Sequence, residues 1–99
     1  MADRTRFLPA CDIRHPRRLR RVHDVALSYG DALQYSVFIC DLTSVERIAL
    51  RRALKDEMDE RADSVALFDL GPPRDRGVEC IEFLGQRREL REDGGATVW

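Results

Sequence analysis

The chain has 99 residues and a mass of 11.4 kDa, which predicts one domain, residues 1–99, with a core so small that dimerisation would add stability. Hydrophobic residues make up 43% and charged residues 35%, and no apolar run approaches the roughly 20 residues of a membrane span. No apolar signal core follows the charged N-terminus. We therefore expect a cytoplasmic globular protein.

Charge is distributed unevenly along the chain. The net charge is only -1, but five arginines and no acidic residue fall between Arg14 and Arg21, and five acidic residues lie between Asp56 and Asp63. Two interpretations of the arginine run stay open. It is either a nucleic-acid interface or a solvated helix face in a protein that uses arginine as its usual cation, since Lys55 is the only lysine.

The three cysteines, Cys11, Cys40 and Cys80, lie tens of residues apart. Their odd number and wide spacing match neither a disulfide framework nor a zinc-binding pattern. Each lies in an apolar run typical of a strand. We therefore expect buried, reduced thiols.

The first half of the chain predicts a strand, a helix and a second strand region. Residues 6–13 are typical of a short buried strand, in which Pro9 lacks a backbone donor and favours an edge position or a bulge. Residues 16–29 begin with proline, carry apolar residues at helical spacing and are followed by glycine, which predicts a helix. Residues 33–41 predict one strand, or two short strands around a bend.

The second half predicts another helix and two more strands. The segment 43–46, Thr-Ser-Val-Glu, is a capping box that opens a helix with an apolar stripe of Leu50, Leu54 and Met58. Val45 and Ile48 lie off that stripe, and their contacts are left open. Residues 64–70 and 78–84 predict strands. This order of elements predicts an α+β ferredoxin-like βαββαβ sandwich with an additional C-terminal strand.

Asp12 closes the first predicted strand, directly after apolar neighbours. A carboxylate at this point is either a helix-capping acid or a ligand for a hard cation. Pro16, where the helix starts, is four positions away, so a capping residue is more plausible from further along the loop. This spacing favours the metal-binding interpretation of Asp12.

Several short motifs occur together in a fixed order. They are Asp12-Ile13, Arg18, Arg21-Val22, Gly30, Gln34, Ser36-Val37-Phe38 and Asp41-Leu42. In this order and spacing the sequence resembles the small CRISPR-associated endoribonuclease family, partners of the integrase of CRISPR spacer acquisition. The resemblance is firm over residues 6–70 and looser beyond them.

The resemblance implies a ferredoxin-like homodimer in which the two copies of Asp12 face each other near the two-fold axis. It makes Asp12 the catalytic residue and a ligand of Mg²⁺, which would relieve the repulsion between the two carboxylates. Arg14, Arg18 and Arg21 would then contact the phosphates of RNA or double-stranded DNA. It also implies that the segment 85–99 adds a strand to the partner subunit, which would cover Trp99.

Two positions depart from the family pattern, and two others have alternative roles. Cys11 replaces a tyrosine of the family, which puts catalytic activity in question more than membership, and Pro9 interrupts the first strand. Ser36 and Phe38 are candidate nucleic-acid-binding residues. A hydrogen-bonded strand serine and a core aromatic are the competing interpretations. We expect both histidines, His15 and His23, to lie on the surface or in helix packing.

Three functions fit the sequence. The first is a Mg²⁺-dependent endonuclease, acting on RNA or DNA in CRISPR spacer acquisition and antiviral defence. The second is a non-catalytic dimeric scaffold that bridges integrase subunits and binds duplex DNA. The third is a stand-alone ribonuclease toxin of related fold.

Overall fold

The protein is described here by a computed structural model that covers residues 3–74 and 81–86. Its elements are β1 (Thr5–Asp12), α1 (Pro16–Tyr29), β2 (Asp31–Gln34), β3 (Val37–Leu42), α2 (Ser44–Glu57) and β4 (Ser64–Asp69). The region 33–41 forms two strands, because the chain turns at Tyr35 and Ser36. The predicted order of elements is confirmed through β4.

The strands form one sheet in the order β2-β3-β1-β4, in which all neighbouring pairs are antiparallel. Residues from both helices share one apolar cluster with alternate residues of β1 and β3, so the two helices cover the same face of the sheet. This architecture is the predicted ferredoxin-like sandwich.

Of the two positions that Pro9 favours, an edge strand or a bulge, the edge strand is wrong, since β1 lies between β3 and β4. Pairing of β1 with β4 is continuous past Pro9, but pairing with β3 stops after Phe7 and resumes at Ala10. Cys11, two residues further on, donates its N–H toward β3, to the Ser36 carbonyl. Backbone donors alternate sides along a strand, so the missing N–H of Pro9 interrupts the pairing on the β3 side only.

Helix α1 begins and ends where the sequence predicts. His15 is its N-cap, and the imidazole Nδ1 accepts the N–H of Arg17 at 3.2 Å. At its C-terminal end, the Gly30 N–H donates a hydrogen bond to the Ala26 carbonyl. A Cβ at Gly30 would lie 2.1 Å from the carbonyl oxygen of Ile39, so a glycine is needed there for the close approach to β3.

Helix α2 opens with the predicted capping box. The Thr43 hydroxyl accepts the N–H of Glu46 at 3.2 Å, and the Glu46 carboxylate accepts the N–H of Thr43 at 2.9 Å. These hydrogen bonds lower the pKa of Glu46, with Arg4 adding to the effect. Val45 and Ile48, whose contacts the sequence left open, are exposed.

The core lies between the helices and the sheet. Its buried members are Phe7, Cys11, Val22, Ala26, Phe38, Cys40, Leu42, Leu50 and Leu54. Burial of each leucine-sized side chain contributes about 1.5–3 kcal/mol. Cys11 and Cys40 are buried free thiols, as predicted, and Cys80 lies outside the described residues.

The opposite face of the sheet is largely apolar. Leu8 and Ala10 alternate with core residues of β1, and they pair with Phe68 and Ala66 of β4. Phe68 is 52% exposed. This open face, defined here by Leu8, Ala10, Ala66 and Phe68, is the face of the sheet that the two helices leave uncovered.

The predicted strand at 78–84 is wrong over its described residues, and the segment 85–99 with its C-terminal strand stays a prediction. Residues 81–84 are described and form no strand within the single chain. Residues 75–80 and 87–99 lie outside the described part, and Trp99 is among them. Neither described helix has the length and apolar character of a membrane span.

Candidate nucleic-acid interface and carboxylate site

Three segments that are distant in sequence meet where β1 ends. Asp12 pairs with Ser64 at the start of β4, and Ala10 pairs with Val37 at the start of β3. The next N–H, that of Cys11, donates to the Ser36 carbonyl at 2.8 Å. We call this region the Asp12 end of the sheet. It comprises residues 12–14, the first turns of α1, the turn at 35–36 and the loop 59–63.

Asp12 presents its carboxylate to solvent. Its side chain is 63% exposed, and Arg14 Nη2 lies 3.1 Å from Asp12 Oδ2. The Arg14 side chain is 67% exposed. An ion pair this exposed contributes at most about 1 kcal/mol. The Asp12 carboxylate can therefore leave Arg14 to bind a cation, and Arg14 can leave Asp12 to bind a phosphate. Either exchange costs little free energy.

Asp63 is the buried hydrogen-bond acceptor behind this exposed pair. Its side chain has no solvent exposure. Its carboxylate accepts hydrogen bonds from Nε and Nη2 of Arg18 at 2.7 and 3.2 Å. It also accepts hydrogen bonds from the backbone N–H groups of Arg14 and Asp59, each at 2.8 Å. One carboxylate thus joins the loop after β1, the first turns of α1 and the loop before β4.

These contacts determine the charge states of the pair. The Arg18 hydrogen bonds hold the pKa of Asp63 far below its usual value, and the N–H groups of Arg14 and Asp59 act in the same direction against burial. The same hydrogen bonds raise the pKa of Arg18. Both groups are therefore charged at neutral pH.

The predicted phosphate contact of Arg18 needs correction for this reason. Two of its nitrogens already donate to the Asp63 carboxylate, and only 26% of its side chain is exposed. A guanidinium that grips a buried carboxylate is not available for bidentate phosphate binding. Arg18 holds the Asp12 end together instead.

Other arginines of the run do face solvent. Arg17, Arg20 and Arg21 are exposed, and none of them forms an ion pair with a carboxylate within the described residues. Together with Arg14, which contacts Asp12, they give the start of α1 a cationic surface. Arg14 and Arg21 are both exposed, and their phosphate contacts stay a prediction.

The two remaining candidates lie in different environments. Phe38 is fully buried, so it cannot stack on a base, and that prediction is wrong because its strand position faces the helices. Ser36 lies in the turn between β2 and β3 and uses its backbone carbonyl to bind the Cys11 N–H. His23 packs edge-on against Phe38, with ring centroids 4.8 Å apart.

The described residues of one chain do not form a complete metal site. Among the residues that the structure describes, no three His, Cys, Asp or Glu side chains converge to hold an ion. Asp12 offers one exposed carboxylate, a suitable ligand type for Mg²⁺. A Mg²⁺ ion at Asp12 would therefore need ligands from beyond the described residues of one chain, such as a second copy, nucleic acid or water.

The fold and the Asp12 end define a small ferredoxin-like protein with an exposed carboxylate beside a cationic surface. The family model of CRISPR-associated protein Cas2 matches residues 6–77, and the chain therefore belongs to the Cas2 family. A protein of Rhodospirillum rubrum named CRISPR-associated endoribonuclease Cas2 1 is 37% identical over 86 residues, which cover 87% of this chain and 83% of the relative.

Other relatives match over shorter stretches. A Cas2 endoribonuclease of Chlorobaculum tepidum is 40% identical over 55 residues, covering 56% of this chain and 57% of the relative. The crystal structure of Streptococcus pyogenes Cas2 superimposes with a TM-score of 0.71 at 30% identity, covering 81% of this chain and 99% of that one.

A hypothetical protein of Thermus thermophilus shows the same fold. It superimposes with a TM-score of 0.76 at 24% identity, covering 89% of this chain and 99% of the other.

Sequence reasoning missed Asp63 and the cap at His15. Asp63 is one of five acidic residues in its segment, and only its position directly before a strand sets it apart. His15 directly precedes Pro16, which is where an N-cap belongs when proline occupies the first helical position. That spacing was an available signal.

Proposed function

We propose that the protein is a metal-dependent endonuclease that hydrolyses phosphodiesters of RNA or DNA in CRISPR spacer acquisition and antiviral defence. The observation that carries the proposal is the exposed Asp12 carboxylate beside solvent-facing arginines, in a chain of the Cas2 family. Relatives in Rhodospirillum rubrum and Halalkalibacterium halodurans are named an endoribonuclease and an endonuclease.

Each group at the Asp12 end has a defined task in this proposal. Asp12 would hold Mg²⁺, which when bound supplies a Lewis acid for activation of water. Arg14 and Arg21 would orient the scissile phosphate through paired N–H donors. Asp63 and Arg18 would fix the loop that carries Asp12 and Arg14.

Dimerisation through the open face would complete the site. Alternate β1 residues point to opposite faces, and Asp12 lies on the same face as Leu8 and Ala10. A two-fold axis passing through this face would bring two copies of Asp12 toward each other. Two like charges in proximity favour a shared cation, which supports Mg²⁺ as the cofactor.

A second function is a dimeric scaffold that bridges integrase subunits and holds duplex DNA without cutting it. Cys11, buried where the family usually has tyrosine, favours this alternative, because the tyrosine hydroxyl that would position substrate is missing. The exposed arginines suffice for duplex binding in either case. Family membership favours both functions over a stand-alone toxin.

The decisive experiment is a cleavage assay on wild type and Asp12→Asn, with single-stranded RNA, single-stranded DNA and duplex DNA, each with Mg²⁺ and with EDTA. The substitution removes the charge that would hold the ion and keeps the side chain's shape. We expect cleavage to fall by at least about 100-fold, with nucleic-acid affinity changed by less than about threefold.

Arg21→Gln is the matched variant, since it removes a cation from the same surface and leaves Asp12 intact. It should weaken binding and reduce the salt slope by about one unit. Cleavage that survives Asp12→Asn, or that persists in EDTA, would contradict the metal-dependent enzyme. If wild type binds nucleic acid but cleaves none of the substrates, the endonuclease proposal fails and the scaffold function remains.

A further inference from the structure

The outward side of α2 carries aliphatic side chains that the core does not use. Val45 is 73% exposed and Ile48 is 63% exposed, whereas Leu50 and Leu54 are buried on the opposite side of the same helix. Valine and isoleucine are weaker helix formers than alanine or leucine. Neither helix stability nor core packing therefore accounts for Val45 and Ile48.

Cations continue this side of the helix toward its end. Arg51, Arg52 and Lys55 are exposed, and none of them forms an ion pair with a carboxylate within the described part of the chain. Arg52 and Lys55 follow Ile48 by four and seven residues, so the three side chains lie on one helical stripe. We call this region the α2 surface, which consists of Val45, Ile48, Arg51, Arg52 and Lys55.

The shape of the α2 surface suits a macromolecule. A groove of about 350 Å³ runs along it, and the described residues that line the groove all belong to α2. Small molecules usually bind in clefts that bury most of the ligand between several elements. A partner that lies along the helix fits this shape better than a small ligand.

The two halves of the α2 surface attract different chemical groups. Arg52 and Lys55 attract anions, either phosphates or carboxylates. Val45 and Ile48 lose contact with water only against apolar side chains, which a protein supplies and a nucleic-acid backbone lacks. A protein segment that is acidic in one half and apolar in the other complements both halves.

A helix is the segment that matches this straight surface. The 14 residues of α2 extend for about 21 Å, and helices pack side by side through rows of side chains at this spacing. Carboxylates stabilise a helix in its first turns. An acidic first half meets the cations at the end of α2 when the partner helix runs antiparallel to it.

The α2 surface is separate from the surfaces described above. Helix α2 covers one face of the sheet together with α1, and the open face lies on the other side. Asp12 lies on the side of the open face, because it follows the core residue Cys11 in β1. A partner on α2 leaves both the open face and the Asp12 carboxylate accessible.

We propose that the α2 surface docks an acidic amphipathic helix of another protein, which runs antiparallel to α2. Apolar side chains of that helix cover Val45 and Ile48, and its carboxylates pair with Arg52 and Lys55. This docking does not depend on the endonuclease activity.

The test measures the fluorescence anisotropy of a labelled helical peptide of about 18 residues, or five turns, mixed with the full chain. The peptide carries glutamates in its first half and leucines in its second half, all on one stripe. A control peptide has lysine in place of every glutamate. Wild type should bind the acidic peptide at least about tenfold more tightly than the lysine peptide, and added salt should reduce this difference.

Variants of the protein separate the two halves of the surface. Arg52→Glu/Lys55→Glu should bind the acidic peptide at least about tenfold more weakly and should prefer the lysine peptide. Ile48→Ser should raise the Kd of the acidic peptide about tenfold. Arg61→Glu, which reverses an exposed cation outside α2, is the matched control and should change it less than about threefold. Circular dichroism would show that all variants fold.

Equal binding of the two peptides by wild type, or equal affinity of wild type and Ile48→Ser for the acidic peptide, would refute the proposal. Other occupants of the α2 surface give distinct results that also overturn it. If Ile48→Ser dissociates a wild-type dimer in sedimentation, the occupant is a second copy of the chain. If Arg52→Glu/Lys55→Glu weakens duplex DNA binding as much as peptide binding, the occupant is nucleic acid.

Discussion

At the residue scale, the two described cysteines differ from reactive surface thiols in their environment. Cys11 and Cys40 are both buried. Burial raises the pKa of Cys11 to about 11 and that of Cys40 to about 12, with nearby carboxylates adding to the effect at Cys40. Since only the thiolate reacts readily with alkylating agents, both should be inert in the native state.

We predict that iodoacetamide at pH 8 alkylates Cys11 and Cys40 at least about 100-fold more slowly in native protein than in urea. Peptide mass spectrometry after timed quenching would measure both sites separately. Rapid native labelling of either thiol would show that the core between the sheet and the helices opens readily.

The sequence predicts the role of a residue where its neighbours along the chain determine that role. Asp12 could be placed at the end of a buried strand because the residues before it are apolar. The role of Arg18 does not, because its partner Asp63 lies 45 residues away. Phe38 could be assigned only once β3 was known to turn that side chain toward the helices.

At the element scale, Asp63 connects α1 to the loop after α2, and its low pKa makes this connection pH-dependent. A carboxyl whose pKa falls on folding contributes stability that is fully present above its ordinary pKa, near 3.9, and is lost as the pH falls below that value. The melting temperature of wild type should therefore drop steeply below about pH 4.

Asp63→Asn should lower the melting temperature at pH 7 by more than about 5 °C, and the two melting curves should converge as the pH approaches 2. Asp56→Asn, in the same acidic segment but exposed on α2, is the matched control and should shift it by less than about 3 °C. Calorimetry across this pH range would measure both. Parallel curves for Asp63→Asn and wild type would contradict the assigned ionisation.

Element boundaries were predicted best where the sequence carries its own stop signals. Pro16 and Gly30 bracket α1, and Thr43 with Glu46 opens α2. Strand neighbours were predicted less well. Pro9 suggested an edge strand, yet β1 is central, because its alternate apolar residues supply the core and the proline costs pairing on one side only.

At the scale of the whole molecule, the open face gives the dimer proposal a direct test. We predict that wild type sediments as a dimer at micromolar concentration and that Phe68→Asp raises the dimer Kd by more than tenfold, since each dimer would bury two charges in an apolar contact. Val45→Asp, on the exposed side of α2, should leave the dimer intact.

A wild-type species of 11.4 kDa in sedimentation velocity would contradict the dimer and, with it, the pairing of two Asp12 carboxylates. Equal sedimentation of Phe68→Asp and wild type as dimers would place the interface elsewhere on the molecule.

The length of β1 has a practical consequence. Its eight residues run from Thr5, which pairs with Leu42, to Asp12 at the other end of the sheet, a span of about 23 Å. A fluorophore or an affinity handle attached near the exposed Asp3 would therefore stay clear of bound nucleic acid. Such a handle would allow surface immobilisation with the Asp12 end facing the solution.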